Sequence, residues 1–212
     1  MTNLQAFINW LRRKEILVRN PDFPRIDVPR APVRWAQKAY LLQALPHVPE
    51  HDRPVIHFML YHPLRSGEVA ALKVKDFLMD DGIVHVCRAF SMGVLRSRKN
   101  KRPYCLVLSE HFDKSVLKNK FPESFTFINS VGNPYTSNHL KKIWRAACEK
   151  SGIDYIPLKN AGRTSIASAA VNRGESLYAV ADALGNTPAV VAKHYGHLNA
   201  ESTRGVIDGR KM

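Results

Sequence analysis

Four side chains of this sequence have the types and order that phosphodiester chemistry asks for: Arg65 in LRSGEVAAL, Lys99 in GVLRSRKNKR, Arg163 in NAGRTSIAS and Tyr195 in AKHYGHL. A phenol, with a reference pKa of about 10, attacks phosphorus when nearby cations favour its ionised form. Attack builds charge on the two non-bridging oxygens. A guanidinium stabilises that charge well, because its planar fork meets two oxygens at fixed geometry and stays protonated. Two arginines can hold a phosphate from both sides, and a lysine can protonate the departing sugar oxygen. Taken singly, each residue has a plainer use: arginines in surface ion pairs, a lysine on a solvated loop, a tyrosine packed in a core. It is the ordered set that points to chemistry.

The charge balance agrees with a polyanionic substrate. Lys and Arg total 32 against 18 Asp and Glu in 212 residues, a formal net charge of +14. Such an excess points first to nucleic acid and second to an anionic membrane surface. It is also concentrated: no acid occurs from Gly82 to Ser109, a stretch that holds Arg88, Arg96, Arg98, Lys99, Lys101 and Arg102. A solvated loop is the plain reading of such a run, and contact with backbone phosphates the better one. No apolar run approaches the roughly 20 residues of a bilayer span. The amino-terminal MTNLQAFINWLRRKE lacks the order of a signal peptide. Cys87, Cys105 and Cys148 are too widely spaced for a disulfide framework or a zinc cluster, which suits a reducing cytosol. His194 and His197 could share a ligand, but the expectation is no metal and no cofactor.

Periodicity and breakers give the elements that must position these residues. Lys159–Tyr195 reads as three short helical pieces. Gly174 stops the first and Ser176 caps the second, in which Leu177, Val180, Ala181 and Leu184 form the stripe of a half-buried helix. Gly185 stops that piece, and Thr187-Pro188 opens the third, which carries Val190, Val191, His194 and Tyr195. Upstream, helices are expected over 35–45 and 53–61, the latter with Ile56, Met59 and Leu60 inward and broken at His62-Pro63. A short helix follows around Glu68–Leu72. Residues 83–90 and 103–108 alternate and are β-rich, with a basic hairpin or loop between them. Residues 124–128 read as a third strand. Ser137 is expected to cap a helix with Leu140, Ile143, Trp144, Ala147 and Cys148 inward. Residues 2–18 read as an amphipathic helix with Leu4, Phe7, Ile8 and Leu11 on one face, ended by Asn20-Pro21 and followed by a stiff proline-spaced linker. The fold class is α+β, mainly helical, with a small antiparallel β-sheet ahead of the last helical cluster.

On these boxes the sequence resembles the catalytic domain of the tyrosine recombinases, the phage integrase family. The family's Gly-Leu-Arg with an acid three residues on is matched by Pro63-Leu64-Arg65 with Glu68. Its His-x-x-Arg-His-Thr box is matched by Asn160-Ala161-Gly162-Arg163-Thr164-Ser165, and its Leu-Gly-His or Leu-Gly-Trp box by Leu184-Gly185-Asn186, with Tyr195 at the family's spacing. The resemblance runs from about Pro29 to His197. It implies a site-specific DNA recombinase in which Tyr195 attacks a DNA phosphate and forms a 3′-phosphotyrosyl link, without metal or ATP. Arg65 and Arg163 would hold the phosphate, Lys99 would protonate the 5′-hydroxyl, and Glu68 would buttress the arginine pocket. Arg96, Arg98, Lys101, Arg102 and Lys159 are the expected DNA-binding cations. The resemblance also implies double-stranded DNA as partner, self-association as a tetramer on DNA, no membrane, and a place in the prokaryotic cytoplasm with the nucleoid. Residues 1–20 would be the last helix of a truncated core-binding domain, 21–34 the linker and 35–212 the catalytic domain.

The sequence departs from the family at Asn160 and Asn186, where histidine, or histidine and tryptophan, are usual. An amide can donate to a phosphate oxygen but handles no proton near neutral pH. Two readings follow: a divergent active recombinase, or an integrase-like DNA-binding regulator that cuts poorly and uses Ser176–Tyr195 as a helix-turn-helix-like segment.

Overall fold

Helix α3 (Arg53–Tyr61) is the element around which the larger part of the chain packs. The computed structural model describes residues 2–19, 34–97 and 103–195. The chain divides into two compact units, Met1–Val33 and Arg34–Met212. In the first, α1 spans Thr2–Arg13 and leaves Leu4, Phe7 and Trp10 about half exposed. It ends sooner than its amphipathic pattern predicts. Glu15 takes a left-handed φ of 57°, and the Ile16 N–H turns back to the Leu11 carbonyl, so the chain leaves the helix before the proline is reached. The linker expected over 21–34 lies outside the described residues, apart from Arg34.

In the second unit α2 is only Lys38–Leu42, followed by a 3-10 turn at Leu45–His47. The expected helix over 35–45 is cut short at both ends. The Ala36 N–H donates to the Ser165 hydroxyl, which holds this segment extended, and Pro46 cannot supply a helical N–H. Helix α3 (Arg53–Tyr61) follows the predicted span and buries Val55, Ile56, Phe58, Met59 and Leu60. Helix α4 (Ser66–Ala70) begins after four intervening residues.

Strands β1 (Phe77–Leu78), β2 (Ile83–Val86) and β5 (Tyr104–Val107) form an antiparallel sheet in the order β1-β2-β5. The strand expected over 83–90 divides at Cys87. Its second part, β3 (Arg88–Ser91), pairs instead with β4 (Val94–Ser97) as a separate hairpin, Arg88 opposite Ser97. The division follows from Arg88, whose guanidinium is drawn to Asp76 and to the Ala71 carbonyl. No strand forms at 124–128. That segment makes single bridges only, Lys73 with Phe125 and Ile128 with Pro134, and its Thr126 is held by the Leu72 carbonyl and the Lys120 ammonium.

Helix α5 (Ser137–Ser151) buries the expected Leu140, Ile143, Trp144, Ala147 and Cys148. Its cap is Thr136, not Ser137: the Thr136 hydroxyl accepts from the His139 N–H, while the Ser137 hydroxyl meets that of Ser66. Then comes a turn that periodicity does not foresee. Asn160–Thr164 is π-helical and runs straight into α6 (Ser165–Asn172). Helices α7 (Leu177–Leu184) and α8 (Pro188–Tyr195) follow the predicted punctuation, with Ser176 capping α7. Ala167, Val171, Val180, Ala181, Leu184 and Val191 make a small core joining α6, α7 and α8, separate from the main one. Leu177, expected in that stripe, stays partly exposed. Among the described residues no helix is long and apolar enough to cross a membrane.

Two glycines let backbones touch where nothing larger fits. A Cβ on Gly162 would lie 2.3 Å from the Met59 carbonyl oxygen, and one on Gly67 would lie 2.3 Å from that of Phe90. The first seats the π turn on α3, and the second seats α4 on β3. Both obstacles are main-chain atoms, which cannot rotate away. Gly162→Ala and Gly67→Ala are therefore each expected to destabilise the protein by roughly 2 kcal/mol or more. Urea unfolding would show this as a lower midpoint at unchanged slope. A midpoint unmoved in either variant would contradict the packing.

Candidate active site

Arg65 stands at the entrance to α4. Its own N–H donates to Glu68 Oε2 at 2.9 Å, and its Nη1 donates to Glu68 Oε1 at 2.9 Å. One carboxylate thus holds both the main chain and the side chain of Arg65. The two side chains differ in exposure: 51% for Arg65 and 3% for Glu68. Burial of Glu68 is made tolerable by these charge-assisted bonds and by its place in the first turn of a helix, where N–H groups face outward. The bond to Glu68 takes one edge of the Arg65 guanidinium, and half of the side chain remains open to solvent.

Arg163 is held quite differently. It is 2% exposed. Nη1 donates to the Pro63 carbonyl at 2.7 Å, and Nη2 donates to the Leu184 carbonyl at 2.8 Å. The Leu184 carbonyl is one that α7 leaves over at its end, and the Pro63 carbonyl belongs to the loop between α3 and α4. The helix terminus at Leu184 carries partial negative charge, which suits a cation. Neither partner is a carboxylate, so dipoles stabilise the positive charge of Arg163 without cancelling it. The same fork joins the loop that leads to Arg65 with the turn that leads to Asn186.

Tyr195 ends α8, half-buried, and packs on the small core of α6–α8. Asn186 is also half-buried, and its N–H closes the end of α7 on the Ala181 carbonyl. Asn160 opens the π turn. Its Nδ2 donates to the Arg34 carbonyl at 3.0 Å, and its own carbonyl accepts from the Ser165 hydroxyl at 2.7 Å. The amide therefore ties the start of this unit to the segment that bears Arg163. Lys159 beside it is exposed, as is Arg96 on β4. Arg98, Lys99, Lys101, Arg102 and His197 lie outside the described residues.

The structure thus brings Arg65 to Glu68, and Arg163 to the segments flanking Arg65 and Asn186. It shows no hydrogen bond from Asn160 or Tyr195 to either arginine among the described residues. Arg88, counted above among the concentrated cations, has a structural job instead. Its Nη2 donates to both oxygens of Asp76, 2.6 Å from Oδ2, and its Nε donates to the Ala71 carbonyl. Asp76 also accepts the Lys73 N–H at 2.7 Å. This half-buried pair docks the β3–β4 hairpin on the far end of α4. Sequence reasoning missed this pair and the use of His62. Gly162 carried a usable signal, since a glycine inside a helical run marks a close approach.

Among the described residues no group of three or more His, Cys, Asp or Glu could hold a metal ion. The comparisons with known proteins agree with this architecture. The chain resembles solved structures of a Tn1549 transposon integrase in complex with a circular intermediate DNA (TM-score 0.79, 17% identity, covering 97% of this chain and 76% of that one). It also resembles XerA recombinase (TM-score 0.65, 17% identity, 98% and 74% covered). At such identity these likenesses establish the fold. In sequence it is 22% identical to tyrosine recombinase XerC of Lactobacillus delbrueckii subsp. bulgaricus over 160 residues, 71% of this chain and 51% of the relative. It is 21% identical to tyrosine recombinase XerC of Bacillus subtilis over 221 aligned positions, 95% of this chain and 69% of that protein. The chain thus spans about half the length of the Lactobacillus relative it matches. The sequence model of the phage integrase family matches residues 35–202, and the chain belongs to that family.

Proposed function

We propose that residues 35–195, with the tail that follows, cut and rejoin DNA in site-specific recombination through a covalent bond to Tyr195. The observation that carries this reading is the buried guanidinium of Arg163, fixed by two carbonyls and neutralised by none of the described carboxylates. A cation so held costs the fold free energy. It finds its use when an anion arrives, because preorganised charge needs no rearrangement at the moment of reaction. Arg65, braced by Glu68 and half exposed, supplies the second fork. The relatives' names, tyrosine recombinase and transposon integrase, support the same reading.

The Tyr195 phenolic oxygen gives up its proton to water and attacks phosphorus, and the bond from phosphorus to the 5′ oxygen breaks. That oxygen takes a proton from the Lys99 ammonium, and the 3′-phosphate stays on Tyr195. In the reverse step a 5′-hydroxyl attacks and the phenol leaves, so one phosphodiester replaces another without ATP. Exchange between two duplexes requires four strand cuts, and each chain carries one nucleophile. Assembly of four copies on paired DNA sites follows. Asn160 and Asn186 can only donate or accept hydrogen bonds, and one Asn160 donor is already given to Arg34. That use of the amide favours a second reading, a DNA-binding regulator of slow or no cleavage.

Nicked suicide duplexes tiled across the junctions that flank the gene separate the two. The recombinase reading expects a covalent protein–DNA adduct, absent in Tyr195→Phe. Arg65→Ala is expected to slow adduct formation about a hundredfold or more while changing DNA affinity far less. Tight binding with no adduct on any duplex would establish the regulator. Asn160→His restores a proton-handling group to this position and is expected to speed adduct formation. An equal or slower rate would show that the tether to Arg34 matters more than proton transfer.

A further inference from the structure

His62 is almost wholly buried, 1% exposed, and every polar atom it has is bonded. Its N–H and its Nδ1 both approach the Phe58 carbonyl, at 2.9 and 3.0 Å. Its carbonyl accepts the Leu64 N–H at 2.7 Å. Its Nε2 accepts the Ser109 N–H at 3.0 Å, from the segment just past β5. The Ser109 amide can only donate, so Nε2 carries no proton and Nδ1 does. The ring stacks on Phe58, with centroids 4.0 Å apart, and stands edge-on to Phe112. Pro63 and Leu64 follow at once, then Arg65.

We infer that His62 is a positioning residue for both arginines: its imidazole, bonded at each nitrogen, fixes the turn that offers the Pro63 carbonyl to Arg163 and delivers Arg65 to Glu68. The inference rests on the reading of those arginines as phosphate ligands. The geometry leaves little freedom. Pro63 disfavours a helical backbone at His62, which sits at φ −123° and ψ 125°. The Ser109 link ties that extended residue to the sheet. If the ring lost its bonds, the turn would be set only by packing, and displacements of the order of 1 Å at a reacting centre can cost about a hundredfold in rate.

Protonation would break the Ser109 link, since an imidazolium presents N–H at both nitrogens. The protein resists this. Burial lowers the His62 pKa from 6.5 to about 4, against the bond to Phe58, which raises it; His57 on α3 and Lys38 on α2 lower it further. His111 and Asp113, from the segment after β5, act on His57 in opposite senses. The sign follows. The unfolded chain binds this proton below pH 6.5 and the folded one only near pH 4, so stability is complete above 6.5 and falls with acidification toward about 4.

Two variants test the inference. His62→Phe keeps the stacking ring and loses both nitrogens. His62→Gln keeps an amide oxygen that can accept the Ser109 N–H. In single-turnover adduct formation at saturating protein and pH 7.5, Phe is expected to be about ten- to a hundredfold slower at nearly unchanged DNA affinity, and Gln to recover most of the rate. In the free protein, amide exchange at Leu64 and Glu68 should quicken about tenfold or more in Phe and little in Gln. The acid loss of stability between pH 6.5 and 4 should shrink in Phe. Wild-type rate and exchange in Phe would overturn the inference, as would equal losses in Phe and Gln. If the wild type forms no adduct, the recombinase reading fails and the exchange measurement alone decides the role of His62.

Discussion

The site depends on a buried guanidinium with no carboxylate partner among the described residues. Arg163 lies in a part of the fold where an isolated cation would be costly, and it is kept there by two main-chain carbonyls, that of Pro63 in the α3–α4 loop and that of Leu184 at the end of α7. To reach both at once, its backbone must lie close against α3 and its side chain must span from α3 to α7. The π turn at Asn160–Thr164 and the bare Cα of Gly162 meet the first demand. The left-over carbonyl at the end of α7 meets the second. A lysine could not meet both, because its ammonium is a single point of charge and not a fork.

Much else in the larger unit fixes the loops that carry the neighbouring charged residues. Glu68 fixes Arg65 by main chain and side chain together. Gly67 and the Arg88–Asp76 pair seat the β3–β4 hairpin on the helix that Arg65 begins. That hairpin runs directly into the stretch that holds Lys99. His62 anchors the turn between α3 and Arg65 to the end of β5. Asn160 draws Arg34 across the π turn. In each case a polar group holds a loop whose own packing would leave it loose, and the loops so held are those that carry the charged residues. Tyr195 is held instead by apolar packing, on the small core under α8.

Legibility followed the range of the forces involved. The helices of Lys159–Tyr195 were readable because caps, stops and an apolar stripe are local signals. So was the family, because the order and spacing of Arg65, Glu68, Arg163 and Tyr195 along the chain match its boxes. What was not readable depends on contacts between distant residues. The β-rich run at 83–90 looks like one strand until Asp76 draws Arg88 aside. SFTFI at 124–128 has strand composition, but no strand runs beside it among the described residues. His62 looked like a helix breaker, and only Ser109, far along the chain, shows its second nitrogen at work. The π turn has no periodic signature of its own, since an extra residue in one helical turn disturbs the pattern without replacing it.

If one fork holds the α3–α4 loop to the α7–α8 turn, replacing it by a point charge should loosen both together and little else. Native-state hydrogen exchange on Arg163→Lys tests this directly. The account predicts coupled loss of protection at residues 62–69 and 177–195, with the amides of α5 unchanged. Unchanged protection in both segments, or a uniform loss across the chain, would contradict it.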